Sequence, residues 1–337
     1  MRRAIRGLSA AILVGLGLSG CAIHPLPEDV THVSTYYIVR QIRCETRQAV
    51  IDSLFRYLTD EDNLRQNRID KNSHDIGLQV KRDYDADRDS IARFNPARLT
   101  GFGRSVVGLL YHTGIAYNYD LIGLEINNID PTAGFIRPLI SPIVNLGVTA
   151  NFDRQRQNER SFTITDNFGD LVRNVREDYC TKHMVESNYI YPIAGKVGID
   201  RVVKDFMLLT LFGNLGGKTK DKDVTIVSGP PTMVDQLQFT TTIGGGATTK
   251  LTFTPVGRAF QVSDASFPIT ASRKDIHQLT VGLYLDKTGA KEIGGVRSAI
   301  FRNLITASGG RAEQGAARAV EQFLAQKIFK PTIVVGQ

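Results

Sequence analysis

The chain has 337 residues, of which 42% are hydrophobic and 22% are charged. This is the composition of an ordinary globular protein with enough apolar residues for a sizeable core. The length is long for one domain and short for three. The formal net charge of +7 does not indicate nucleic-acid binding, because three of the seven charges belong to the extreme amino terminus.

That terminus has the layout of a secretory signal peptide over residues 1–20. Arg2, Arg3 and Arg6 form a basic start, and a mostly apolar run follows from Leu8 to Leu18. Small residues then lead to Cys21. The apolar run is about eleven residues long, well short of the roughly twenty that span a bilayer, so we do not expect a permanent transmembrane helix.

The residues Leu18-Ser19-Gly20-Cys21 resemble the lipobox of bacterial lipoproteins. The resemblance implies cleavage before Cys21 and acylation of that cysteine, with chains such as palmitate, so that Cys21 anchors the chain to a membrane. An ordinary signal peptide with a chance cysteine is the alternative. Because Ala22 rather than Asp follows the cysteine, the resemblance also implies the outer membrane, with the body facing the periplasm; exposure at the cell surface stays open.

The segment after this box, Cys21-Ala22-Ile23-His24-Pro25-Leu26-Pro27, is similar to uncharacterised envelope lipoproteins of rhizobia-like alphaproteobacteria. The resemblance is short and implies no activity. Residues 21–34, which contain two prolines, are predicted to form an extended tether.

Two cysteines, Cys44 and Cys180, remain when Cys21 is lipidated. In an oxidising periplasm an even pair of thiols favours a disulfide, and both residues lie in helix-like segments. Two buried free thiols are the alternative.

An amphipathic helix is predicted from about residue 35 to 60, with its arginines on a solvated face. Residues 60–94 are charged, and the alternating carboxylates from Asp83 to Asp89 suggest the start of a calcium loop. The EF-hand pattern needs Gly at its sixth position and Glu at its twelfth, where this chain has Arg88 and Phe94. We therefore interpret the segment as a solvated helix or loop edge.

Two β units are predicted from alternating apolar residues, and helices are predicted around them. The first β unit covers about 116–168, with a hairpin tip at Asp153–Arg160, and the second covers about 224–285, with a turn at Gly244–Gly246. The predicted helices cover residues 170–183, 197–211 and 311–328. The fold class is α+β with antiparallel sheet, and the predicted division is residues 35–215, with the first β unit, and residues 216–337, with the second.

The sequence contains no motif that predicts catalysis, a metal site or a cofactor. The six histidines show no metal-ligand spacing, and Gly-x-Ser-x-Gly is absent. Gly244–Gly246 is followed by strand alternation rather than by the helix of a phosphate loop. Asp120 and Glu125 differ in strand parity and are predicted to face opposite sides.

Two functions of different classes are compatible with this pattern. The first is a non-enzymatic binding or structural component of the envelope, acting on a protein partner through exposed tips at 153–160 and 244–246. The second is a hydrolase of a cell-envelope polymer. Charged residues clustered in a deep pocket favour the hydrolase, and an exposed apolar patch favours the binding protein.

Overall fold

A computed structural model shows an α+β protein, which confirms the predicted fold class. It describes residues 33–137, 144–181, 192–213, 215–216, 218–221, 224–227, 231–253 and 261–285, and five residues between 315 and 323. The proposed signal peptide, Cys21 and nearly all of the tether lie outside them.

The helices of the described chain follow the apolar spacing of the sequence. The longest, α1, is buried around most of its circumference by residues that include Ile38, Ile42, Leu54 and Leu58, as expected of a helix that lies inside a core rather than along its edge. Side-chain caps fix other helix starts: the Asp70 carboxylate accepts a hydrogen bond of 2.9 Å from the Ser73 amide. The helices are α1 (Thr35–Leu58), α2 (Glu61–Arg65), α3 (Lys71–Ala86), α4 (Gly101–Tyr111), α5 (Phe168–Asn174), α6 (Glu177–Thr181) and α7 (Ile199–Phe212).

The predicted helices at 35–60 and 197–211 are thus present as α1 and α7. The helix predicted at 170–183 is instead two short helices, because α5 ends at Asn174 and α6 begins at Glu177. Only five residues of the carboxy-terminal helix are described, and they are helical. No helix in the described part of the chain is long and apolar enough to cross a membrane.

Six strands form one antiparallel sheet, and two short strands form another. In the large sheet β8 pairs with β1, β2 and β7, while β3 pairs with β2 and β4 pairs with β1. The strands are β1 (Thr113–Ile129), β2 (Thr132–Arg137), β3 (Val144–Thr149), β4 (Phe152–Asn167), β5 (Lys218–Asp221), β6 (Val224–Val227), β7 (Thr232–Thr252) and β8 (Gln261–Leu285).

β1 and β2 continue along the same side of β8 across a short break at Asp130-Pro131. The Asp130 amide donates to the Pro268 carbonyl at 3.2 Å, and Thr132 then lies opposite Ser266. β3 and β4 continue in the same way, since the Ala150 amide donates to the Pro131 carbonyl at 3.0 Å. The register therefore continues across both breaks, and it shifts by one residue between Gly134 and Phe135 in the pair of β2 with β8.

Two sequence predictions about turns are wrong. Asp153–Arg160 lies inside β4, and Gly244–Gly246 lies inside β7. Local turn signals predicted both tips, whereas pairing with a neighbouring strand, which local composition does not report, determines the observed conformation. All three glycines have negative φ, so none uses the left-handed freedom that a tight turn would need.

The chain forms two compact units, each built from separate segments. The strand unit contains Leu121–Arg160 and Thr240–His277; the helical unit contains Val33–Asp120, Ser161–Phe239 and the residues from Gln278 onward. The predicted boundary at residues 215 and 216 stays a prediction. The core of the helical unit includes Ile38, Ile42, Val203 and Phe206, all fully buried.

Candidate functional site

A buried group of charged side chains lies between β1 and β8 in the strand unit. The Arg273 guanidinium donates to the Asp275 carboxylate at 3.1 and 2.9 Å and to Glu125 Oε1 at 3.2 Å. The side chains of Arg273, Glu125 and Asp275 are 11%, 13% and 1% exposed. With His277, which is also buried, these residues form what we call the β1–β8 charged cluster.

Strand alternation places this cluster on the inner face of β8. Arg273, Asp275 and His277 have odd numbers, like Leu279 and Val281, which are fully buried on the same strand. The sequence analysis did not predict the cluster, because it considered the alternating apolar residues of β8 and not the charged residues that precede them on the same face of the strand. The signal was present: three polar residues at i, i+2 and i+4 before a buried alternating run.

The cluster contains one guanidinium and two carboxylates, so its charges are compensated only in part. Burial lowers the pKa of His277 to about 4; the nearby Asp275 carboxylate opposes this shift and the Arg273 guanidinium adds to it. The imidazole is therefore neutral near pH 7, and Arg273 bonds two carboxylates on two strands. A buried pair of this kind is costly to break when one partner is removed, so the arrangement acts to hold β1 and β8 in register.

In the helical unit, arginines of α1 bind carboxylates of other segments. Arg43 Nε and Nη2 donate to the Asp166 carboxylate at 2.7 and 2.6 Å, and Arg47 Nη1 donates to Glu177 Oε2 at 2.9 Å. The hydrogen bonds to Asp166 raise the pKa of Arg43, although burial opposes the shift. The prediction of a solvated arginine face is thus wrong for Arg47, which is buried, and for the half-buried Arg43.

The predicted disulfide is confirmed. Cys44 on α1 is bonded to Cys180 on α6, with an S–S distance of 2.07 Å and a Cα–Cα distance of 5.5 Å. Both residues are buried, and the Arg47–Glu177 ion pair joins the same two helices. The cystine and the ion pair together fix α6 against α1.

A buried carboxylate of α1 caps α7. Glu45 accepts hydrogen bonds from the amides of Val197 at 2.9 Å, Gly198 at 2.6 Å and Ile199 at 2.8 Å. Gly198 has a φ of 91°, a left-handed conformation that glycine adopts without the penalty of a Cβ. The positive end of the α7 dipole and three amide donors thus meet one carboxylate. This contact joins residues that are far apart in sequence, and no local pattern reports it.

Of the residues predicted for lipidation and disulfide bonding, the structure brings Cys44 and Cys180 together, and Cys21 lies outside the described residues. Glu125 enters the β1–β8 charged cluster, whereas Asp120 belongs to the helical unit. Within the ranges that the structure describes, no three His, Cys, Asp or Glu residues form a group that could hold a metal ion.

Comparison with known sequences supplies the family. Residues 24–292 match the family model described as "Uncharacterised protein y4kA". The uncharacterized protein y4kA of Sinorhizobium fredii (strain NBRC 101917 / NGR234) is 32% identical over 290 residues, which cover 84% of this chain and 83% of the relative. The chain belongs to the y4kA family. The relative comes from an alphaproteobacterium, as the segment after Cys21 suggested, and membership carries no activity.

Solved structures give only a remote likeness. The secretin InvG of the Salmonella SPI-1 type III secretion injectisome aligns over 66% of this chain and 73% of its own, with 7% identity and a TM-score of 0.22. The Vibrio cholerae type IV competence pilus secretin PilQ covers 50% and 60%, with 7% identity and a TM-score of 0.20. The Pseudomonas aeruginosa secretin XcpQ has a TM-score of 0.19 at 9% identity, over 59% of this chain and 68% of its own. TM-scores this low do not indicate a common fold.

Proposed function

We propose that this protein is a lipoprotein of the bacterial envelope, anchored to the outer membrane through Cys21, with its body facing the periplasm and a non-enzymatic binding or structural role there. The proposal combines the signal-peptide layout of residues 1–20 with the lipobox at Leu18–Cys21. An acylated cysteine with two or more chains anchors a protein stably without a transmembrane helix.

The observation that carries the proposal is the Cys44–Cys180 disulfide. Disulfides persist in oxidising compartments such as the bacterial periplasm and are rare in the cytosol, where thiols are kept reduced. A cystine in the body of the protein therefore supports export, which the amino-terminal sequence predicts independently. The two lines of evidence concern different parts of the chain.

A binding or structural role is favoured by an exposed apolar patch on the sheet of the strand unit. Leu146 and Val262 lie on either side of Phe135 across three neighbouring strands, and Leu146 and Val262 are both exposed. An exposed apolar patch of this kind is typical of a surface that contacts another molecule. The charged residues Arg273, Asp275 and Glu125, in contrast, bond one another.

The anchor is tested by replacing Cys21 with Ser in the full chain and separating membranes from soluble protein. We expect the wild-type chain in the outer-membrane fraction and the Cys21→Ser chain in the soluble fraction. The matched variant Ala22→Asp keeps the cysteine and places Asp after it, and we expect it in the inner membrane. A Cys21→Ser chain that stays with the membranes as the wild type does would refute the anchor.

The compartment is tested separately by mass spectrometry without reduction. The peptide that joins Cys44 to Cys180 should be found in protein isolated with its thiols blocked at lysis. Blocked free thiols at both positions in the protein from intact cells would contradict an oxidising location.

A further inference from the structure

Within the strand unit the large sheet has two edges, and the strands at each edge are paired on one side only. One edge is formed by β3 and the first half of β4, up to Arg160, and the other by β7 from Thr240 to Thr252. In the described chain no further strand pairs with either edge. Such edges present rows of amide and carbonyl groups that are a template for another strand.

The backbone hydrogen bonds show which residues direct these groups outward. The Phe253 amide donates to the Ser263 carbonyl at 2.8 Å, so odd-numbered residues of β7 bond β8 and even-numbered ones face away from it. The Ala150 amide donates to Pro131; by the same alternation, odd-numbered residues of β4 face away from β1. Asp153, Gln155 and Lys250 therefore direct their backbone groups outward.

The β7 edge lacks the features that usually protect an edge strand. From Thr240 to Thr249 it contains no charged residue and no proline, and Lys250 is the one charge before Thr252. Natural sheets block exposed edges with charges, prolines or bulges. An edge of ten uncharged residues is consistent with a strand that is normally paired.

Charge excludes pairing of β4 with its own copy. In an antiparallel pair of two copies of one strand, the two copies are related by a two-fold axis perpendicular to the sheet. Opposed residues then lie on the same face of the strand, so both numbers are odd or both are even and their sum is even. Every such register centred between Arg154 and Glu159 opposes two like charges: Arg154, Arg156 or Arg160 meets an arginine, or Glu159 meets itself. Like charges directly opposite one another destabilise a strand pair.

Pairing of β4 with β7 has no such conflict, and one register satisfies two contacts at once. When Lys250 lies opposite Asp153 in an antiparallel pair, Leu251 lies opposite Phe152. The first contact joins opposite charges. The second joins apolar side chains that are 47% and 59% exposed in the single chain. Both kinds of cross-strand pair stabilise a sheet.

We propose that the β7 edge of one copy of this chain pairs antiparallel with the β4 edge of a second copy, with Lys250 opposite Asp153. The two edges belong to the same sheet, so each copy offers both halves of the contact and assembly proceeds head to tail. Such a contact closes into a ring or extends into a filament. The proposal names the partner for the structural role above and does not depend on the anchor at Cys21.

Crosslinking between two differently tagged copies tests the contact. One full-length copy carries Thr248→Cys and the other carries Gln155→Cys, which the proposed register places opposite each other. A short bismaleimide should give a covalent pair that carries both tags. Arg154→Cys in place of Gln155→Cys is the matched control, because residue 154 lies on the other face of β4 and the pair should be lost. The wild-type chain reports any reaction of Cys21.

Crosslinks of the Thr248→Cys copy to itself, in place of the mixed pair, would overturn the head-to-tail contact. Charge reversal supplies a second readout with no new thiol in the contact. As single variants, Lys250→Glu and Asp153→Lys should each lower the molar mass of the assembly measured by light scattering. The chain with both changes should recover the wild-type mass, and equal masses for all four proteins would overturn the register.

A backbone variant separates pairing from folding. Thr248→Pro removes an outward amide and leaves the bonds to β8 intact, a position that edge strands tolerate; Thr248→Val keeps the amide. The proline chain should be monomeric with an unchanged circular dichroism spectrum, and the valine chain should assemble. A wild-type chain that stays monomeric and binds vesicles of phosphatidylethanolamine and phosphatidylglycerol instead would assign the apolar residues to lipid and overturn the proposal.

Discussion

The most demanding contact of a single residue is the cap that Glu45 forms on α7. Its buried carboxylate satisfies the amides of Val197, Gly198 and Ile199. We expect Glu45→Ala to lower the free energy of unfolding by about 3 kcal/mol, because three buried donors lose a charged acceptor. Urea unfolding measures this. The exposed Asp52→Ala variant on the same helix should change it by less than about 0.5 kcal/mol, and equal effects would contradict the role of the cap.

His277 gives the strand unit a defined response to acid. Burial holds its folded-state pKa at about 4, against 6.5 for an ordinary histidine. The unfolded chain therefore binds a proton between these values while the folded chain does not. The contribution of His277 is complete above about pH 6.5 and falls by about 3 kcal/mol as the pH drops towards 4. Unfolding measured across this range should show a shallower dependence for His277→Gln, and parallel curves would refute the assignment.

At the scale of elements, α1 joins separate segments of the helical unit. Its cystine with Cys180 closes a loop with a sequence separation of 136, which the chain-entropy model values at about 5 kcal/mol. We expect the Cys44→Ser/Cys180→Ser chain to lose an amount of this order in the free energy of unfolding. Reduced wild-type protein is the control and should match the double variant. A double variant as stable as the oxidised protein would show that the loop is held by other contacts.

The elements also show which features the sequence predicts. Apolar residues at helical spacing are a local signal and predict α1 and α7. The two cysteines that remain beside the proposed lipobox predict the disulfide. The strand conformation of Gly244–Gly246 is not predictable in this way, because glycine triplets are common in turns and the pairing with β8 is non-local. The ion pairs of the α1 arginines and the cap at Glu45 are not predictable from the sequence for the same reason, because their partners lie more than 120 residues away.

At the scale of the whole molecule, the proposed anchor and the proposed self-pairing edge would act together. Assembly follows mass action, so its extent rises with the local concentration of copies. The proposed lipid on Cys21 would confine the copies to a thin layer at the membrane. The concentration of copies there would exceed that of the same number of copies spread through the periplasm. The anchored chain should therefore assemble at an expression level at which a released chain does not.

This expectation is tested by titrating expression of the crosslinking pair, Thr248→Cys with Gln155→Cys, in chains with Cys21 and in chains with Cys21→Ser. The released chains should need a higher expression level to reach the same crosslinked fraction, and they should reach it when purified and concentrated, because the contact itself is unchanged. Arg154→Cys in place of Gln155→Cys again gives the background. Superimposable titrations would show that the anchor does not concentrate the copies, whereas a released chain that never crosslinks would show that the lipid forms part of the contact.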